Sequence, residues 1–196
     1  MKIISGGQTG VDRAALDVAI ERGMAWGGWC PKGGWAEDFP DPPGLLVKYP
    51  KLKETALPHP LQRTEWNVRD GDATLIITDG KGMSVSIGTR RAHQWANQHG
   101  KPLLVIDASE PEAPARAAAW LQAQKERFGP PMTLGIGGPR ESEVPGIYTR
   151  ARLLERFPLD VNQNSYRGFP RARKSDSGTS NGDGGGARWR RDTRRT

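Results

Sequence analysis

The chain has 196 residues, 35% of them hydrophobic, with 29 Lys/Arg against 22 Asp/Glu, a length that suits one domain plus an appendage. From Asp160 onward nine Lys/Arg face four Asp, so the tail holds most of the net charge of +7, and the basic balance is not a nucleic-acid footprint on the folded part. The single cysteine, Cys30, excludes an intramolecular disulfide and an all-cysteine metal site. No stretch approaches the ~18 apolar residues of a membrane helix and no basic-then-apolar leader opens the chain, so a cytoplasmic location is expected.

Ile3 and Ile4 predict a short buried strand that runs into Ser5-Gly6-Gly7-Gln8-Thr9-Gly10 and then a helix from Asp12, with Ala15, Leu16, Ala19 and Ile20 at helical spacing and Gly23 at its end. A glycine turn between strand and helix is suited to an oxyanion, because the first helical amides lack intrahelical partners and the dipole is positive there. Asp12 reads either as a cap or as a ligand contact. Ala25–Cys30 predicts a second strand followed by Pro31-Lys32-Gly33, where a dinucleotide fold would place an acid for the ribose hydroxyls. Its absence argues against ordinary NAD binding, and no Gly-Lys-Ser/Thr follows the first strand, which argues against a P-loop hydrolase.

Residues 36–62 are proline-rich and aperiodic, a long connection of the kind that is functional or mobile. Gln62–Asp70 predicts a helix that places Arg63, Thr64 and Asn67 together. Ala73–Thr78 is an unbroken apolar run, as in a parallel strand covered on both faces. A polar stretch over 79–89 ends in Gly88-Thr89 before a helix through Ala92 and Trp95 that stops at Gly100. Leu103–Asp107 predicts a strand, Ala115–Phe128 a helix and Thr133–Gly138 a last strand. The polar turn Pro139-Arg140-Glu141-Ser142 follows, then a closing helix over Pro145–Phe157.

Alternating strands and helices predict an α/β, Rossmann-like three-layer domain with a mostly parallel sheet over residues 1–158. The turns at 6–10, 31–33, 79–89 and 138–142 are expected to converge at one sheet edge. Residues 159–196, rich in Gly, Ser and Arg, are expected to be disordered, with nonspecific RNA contact as the alternative to a solvated tail.

Ser5–Asp17, Gly28–Gly33, Arg63–Asp70, Gly100–Pro102 and Gly138–Ser142 resemble, in the same order, the molybdenum carrier family, a circularly permuted branch of the SLOG superfamily. The resemblance implies a Rossmann-like fold, kinship with lonely-guy-type phosphoribohydrolases and binding of molybdenum cofactor (molybdopterin), a pterin carrying a phosphate. Fold kinship alone transfers no activity. Relatives carry Gly-Gly-Thr before the second phosphate-facing helix, where this chain has Ile87-Gly88-Thr89. The hydrolase relatives carry a glutamate in that helix, whereas Arg90–Gln98 contains no carboxylate.

Two readings follow. In the first, the protein binds a phosphorylated nucleotide-like or pterin ligand through Ser5, Gly6, Gly7, Gln8, Thr9, Gly10, Asp12, Gly88, Thr89 and Gly138, with Lys32, Arg63 and Arg140 as cations and Thr64, Asn67 and Glu141 beside them. In the second, it is a nucleotide N-glycosidase or phosphoribohydrolase whose carboxylate comes from Asp12, Glu65, Asp70, Asp79 or Glu141; no spacing selects among these. A small phosphorylated partner, no membrane and homo-oligomers are the expected associations.

Overall fold

A computed structural model describes residues 1–156. The segment expected to be disordered and the last residue of the closing helix lie outside the described residues. Six parallel strands form one sheet in the order β3-β2-β1-β6-β4-β5, with β1 Lys2–Ile4, β2 Ala25–Cys30, β3 Leu52–Glu54, β4 Ala73–Thr78, β5 Leu103–Asp107 and β6 Thr133–Gly137. The helices are α1 Val11–Glu21, α2 Pro60–Asp70, α3 Gly82–Val85, α4 Ile87–Gln98, α5 Ala113–Phe128 and α6 Ile147–Arg156. None of the described helices is long and apolar enough to cross a membrane.

Side-chain alternation along the strands assigns the two layers. Leu75 and Ile77 of β4 pack with Val11, Ala14 and Val18 of α1, Leu121 of α5 and Ile147 of α6. Ile76 points the other way, onto Val68 of α2 and Ala92 and Ala96 of α4. This is the expected three-layer α/β domain, and β4 is buried along its whole length.

The proline-rich segment departs from expectation. It carries the edge strand β3 and a 3-10 turn at Gly44–Val47, and it buries Ala36, Leu45 and Tyr49 against Leu16 and Cys30 in a small core of its own. The Tyr49 hydroxyl donates to Asp17 at 2.6 Å. Lys51 and Lys53 along β3 give the sheet a charged margin, as edge strands commonly have.

The position of β6 sets the site. The last strand in the chain lies between β1 and β4, at the middle of the sheet. Counted from β6, the strands run outward in both directions, through β1, β2 and β3 on one side and β4 and β5 on the other. The chain leaves β1 through α1 on one face and β4 through α4 on the opposite face, so the crevice of a doubly wound sheet falls at the carboxyl ends of β1, β6 and β4.

Candidate functional site

A cavity of about 380 Å³ opens at that crevice, within the usual range for small-molecule sites. Its floor is Gly135 and Gly137 of β6 with Thr74 and Ile76 of β4. Arg63, Thr64, Asn67 and Val68 of α2 form one wall and Ser86–Thr89 with Ala92 of α4 the other. Gly6, Gln8 and Asp12 come from the opening turn, Gly138, Arg140 and Glu143 from the segment after β6.

The opening turn is already occupied by a charge of its own. Asp12, in the first turn of α1, accepts from Arg63 Nη1 at 2.6 Å, and both side chains are largely buried. Burial pushes the Asp12 carboxyl up; the Arg63 charge and hydrogen bond oppose this, as do backbone hydrogen bonds from Gln8 and Gly138. Gly6 makes the pair possible: a Cβ there would lie 1.9 Å from Arg63 Nη1. The cap of α1 is Gly10, with no side-chain hydrogen bond, so Asp12 is an ion-pair partner and not a cap. The amide of Val11 donates to the Pro139 carbonyl at 3.3 Å, and among the described residues the amides of Asp12 and Arg13 have no partner.

The other side chains of the turn hold the surrounding loops. The Gln8 side-chain oxygen accepts from the amides of Thr9 and Glu37 at 3.1 and 3.0 Å. Thr9 donates to Glu37, and Ser142 closes on the same carboxylate at 2.6 Å. Burial would raise Glu37, but these hydrogen bonds bring its carboxyl below the ordinary range. Arg13 ties Gly7 to Asp38, whose two carboxylate oxygens lie 2.8 and 2.9 Å from its guanidinium, and those bonds lower Asp38.

The N-terminus of α4 also lines the cavity. Ser86 caps α4 by accepting from the Thr89 amide at 3.2 Å, and the Thr89 hydroxyl donates to Ser86 at 2.9 Å. Among the described residues the amides of Ile87 and Gly88 have no partner. Ile87 is exposed at the cavity mouth. Arg140 lines the opposite side, with its guanidinium over the Trp35 ring at 5.8 Å.

The structure thus gathers Gly6, Gln8, Asp12, Arg63, Thr64, Asn67, Gly88, Thr89, Gly138 and Arg140 around one cavity. Six expected residues are not on its wall. Ser5 donates to the Ile136 carbonyl at 2.7 Å. Gly7 abuts Leu45 and Leu52, Gly10 abuts Pro139, and Thr9 binds Glu37. Glu141 accepts from the amides of Gly146 and Tyr148 beside the start of α6. Lys32 lies in a neighbouring groove with Trp35, Pro40, Pro42 and Pro58, which meets the cavity only at Pro60. The turns at 31–33 and 79–82 therefore do not join the convergence expected of them.

Asn67 has a bracing role as well: its side chain accepts from the Trp29 amide and donates to the Trp29 carbonyl, both at 2.9 Å, fixing α2 to β2. The carboxylates on the cavity wall are Asp12, which is ion-paired, and Glu143, which accepts from the Arg140 amide. Asp70 is tied to Trp29 and Arg69, and Asp79 lies 3.6 Å from Arg150. Cys30 is buried, and burial followed by the Glu54 charge pushes its thiol up to about 11, so it is a core residue.

Sequence reasoning missed Gly135, Gly137, Ser86 and Glu143. The signal for the glycines was present in Thr133-Leu134-Gly135-Ile136-Gly137: glycines two apart on a strand bare one face.

The chain from residue 3 to 157 matches the model of the circularly permutated YpsA SLOG family. A crystal structure of a "Putative molybdenum carrier protein" from Syntrophus aciditrophicus SB is similar at 38% identity, with a TM-score of 0.69, over 81% of this chain and 94% of that one. No curated protein matches. With the last strand at the sheet centre and the match spanning the described domain, the chain belongs to the circularly permutated YpsA SLOG family.

Proposed function

We propose that the protein binds a small phosphorylated ligand of nucleotide-like or pterin type, molybdopterin being the candidate that the solved relative's name suggests. The observation that carries this reading is the first turn of α4, whose Ile87 and Gly88 amides have no partner among the described residues, lining one preformed cavity with Arg63 and Arg140. The phosphate would sit against the amides of Ile87 and Gly88 and the Thr89 hydroxyl, where the helix dipole favours an anion. The opening turn shapes the pocket and holds Arg63 through Asp12.

Thermal unfolding of the full chain with nucleoside monophosphates, ADP-ribose and molybdopterin tests the reading. A ligand at 100 times its Kd adds about 2.7 kcal/mol, a rise of several degrees in Tm. Arg140→Ala is expected to weaken binding about 10- to 100-fold, the worth of a charge-assisted hydrogen bond. It should leave the ligand-free Tm within about 2 °C, because among the described residues Arg140 forms no buried ion pair. No shift with any of these ligands at high excess overturns the proposal.

A further inference from the structure

We propose that the deep end of the cavity, between Thr74 and Gly135, seats a flat amino-bearing heterocycle whose edge hydrogen-bonds to Thr74 Oγ1; this rests on the phosphorylated-ligand reading above. Thr74 and Ile76 share the strand face that looks toward α2 and α4, and Thr74 pairs in register with Gly135. Thr74 is 4% exposed, and among the described residues its hydroxyl has no hydrogen-bond partner. A buried hydroxyl left unpaired is destabilising, so the fold gives no reason for a threonine in place of valine.

Gly135 is equally unexplained by the fold. Its φ is not left-handed, and the three atoms nearest a Cβ would be the Asn67 carbonyl oxygen at 3.5 Å, the Ala73 carbonyl oxygen at 3.6 Å and Thr74 Oγ1 at 3.8 Å, all ordinary contacts. What a side chain would take is cavity space. The three neighbouring atoms are oxygens able to accept hydrogen bonds, which selects a donor such as a ring amino group. Val68, Ile76 and Ala92 line the same end and supply apolar surface for the faces of a ring. The cavity that holds Thr74 and Gly135 also reaches Gly88 and Thr89, so a sugar or similar linker can join a ring at one end to a phosphate at the other.

The test is calorimetric titration of the full chain with AMP, GMP and ribose 5-phosphate. The wild type is expected to bind at least one nucleotide ten times or more tighter than ribose 5-phosphate. Thr74→Val should weaken that nucleotide about tenfold while leaving Tm unchanged or raised, and Gly135→Ala should weaken it at least as much. Both should leave ribose 5-phosphate affinity unchanged, which shows an intact fold and phosphate site. Nucleotides binding no tighter than ribose 5-phosphate, or variants that weaken all three alike or none, overturn the ring seat while the phosphate reading stands. Failure of the wild type to bind any of the three overturns the phosphate reading and this one with it.

Discussion

Replacing Arg63 by methionine is expected to lower stability by about 3–5 kcal/mol, the cost of leaving one member of a buried ion pair without its partner. In a domain of this size that is a fall in Tm on the order of 10 °C. The only bond made by the Arg63 guanidinium among the described residues is Nη1 to Asp12, and the Asp12 side chain is buried. The double variant Asp12→Asn/Arg63→Met should recover most of the loss, because neither charge then remains buried. Urea unfolding of the two variants decides the matter. A loss below about 1 kcal/mol in the single variant would mark the pair as no stronger than an exposed one.

The same variant has a defined pH dependence. Burial raises the Asp12 carboxyl above its ordinary value even with Arg63 beside it. A carboxyl whose folded pKa exceeds its unfolded value binds protons more readily when folded. Its ionised form therefore costs stability above the folded pKa, and that cost is relieved as pH falls through the folded pKa toward the unfolded one. Removing Arg63 takes away the influence that opposed burial, so the pKa rises further. The deficit of Arg63→Met should then be full at neutral and alkaline pH and shrink on acidification. Asp38 and Glu37 act with the opposite sign: their lowered pKa values contribute stability that is present above the unfolded pKa and lost as pH falls through the folded one.

Apolar runs in β4 and β5 and the alternation of strand and helix patterns made the parallel sheet legible, and each long helix has a buried stripe. Leu52–Glu54 escaped because an edge strand of three residues with one buried side chain has no period to read. The strand order was not legible at all. Placing β6 between β1 and β4 is a choice among pairings separated by more than a hundred residues, and no local pattern encodes it. For the site, Arg63 and Asp12 were recognisable as polar residues near strand ends, but their mutual neutralisation was not. It depends on the bare Cα of Gly6 beside a helix that arrives from 51 positions downstream. Glycine richness in the opening turn suggested an anion from outside, and the structure adds an internal one there, Asp12.

That internal anion distinguishes the two helix ends beside the cavity. Helix α1 and helix α4 both begin with a glycine-containing turn, and in each one amide of the first turn is bonded, Val11 to Pro139 and Thr89 to Ser86. The first holds the buried Asp12–Arg63 pair, whereas Ile87 and Gly88 of the second line the cavity with no charge of their own. The two glycines should accordingly respond in opposite ways to the same substitution.

Gly10→Ala is expected to destabilise the domain by more than about 4 kcal/mol, in the class of exceptional single substitutions. Gly10 has φ 77° and ψ −131°, a region costly for any residue with a side chain. A Cβ there would also lie 2.3 Å from the Pro139 carbonyl oxygen and 2.8 Å from backbone atoms of Arg140 and Glu141. Those neighbours are main chain and cannot swing aside, so the segment carrying Arg140 must shift and the Val11–Pro139 bond with it. Gly88→Ala meets nothing closer than Ser86 Oγ at 4.0 Å and replaces glycine within a helix, a change worth about 0.5–1 kcal/mol in favour of the fold. Its methyl group adds bulk at the first turn of α4, where the ligand phosphate is proposed to lie. Urea unfolding should therefore separate a crippled Gly10→Ala from a fully folded Gly88→Ala. Ligand titration of the latter should show affinity reduced at least tenfold. Undiminished binding by Gly88→Ala would move the phosphate away from α4.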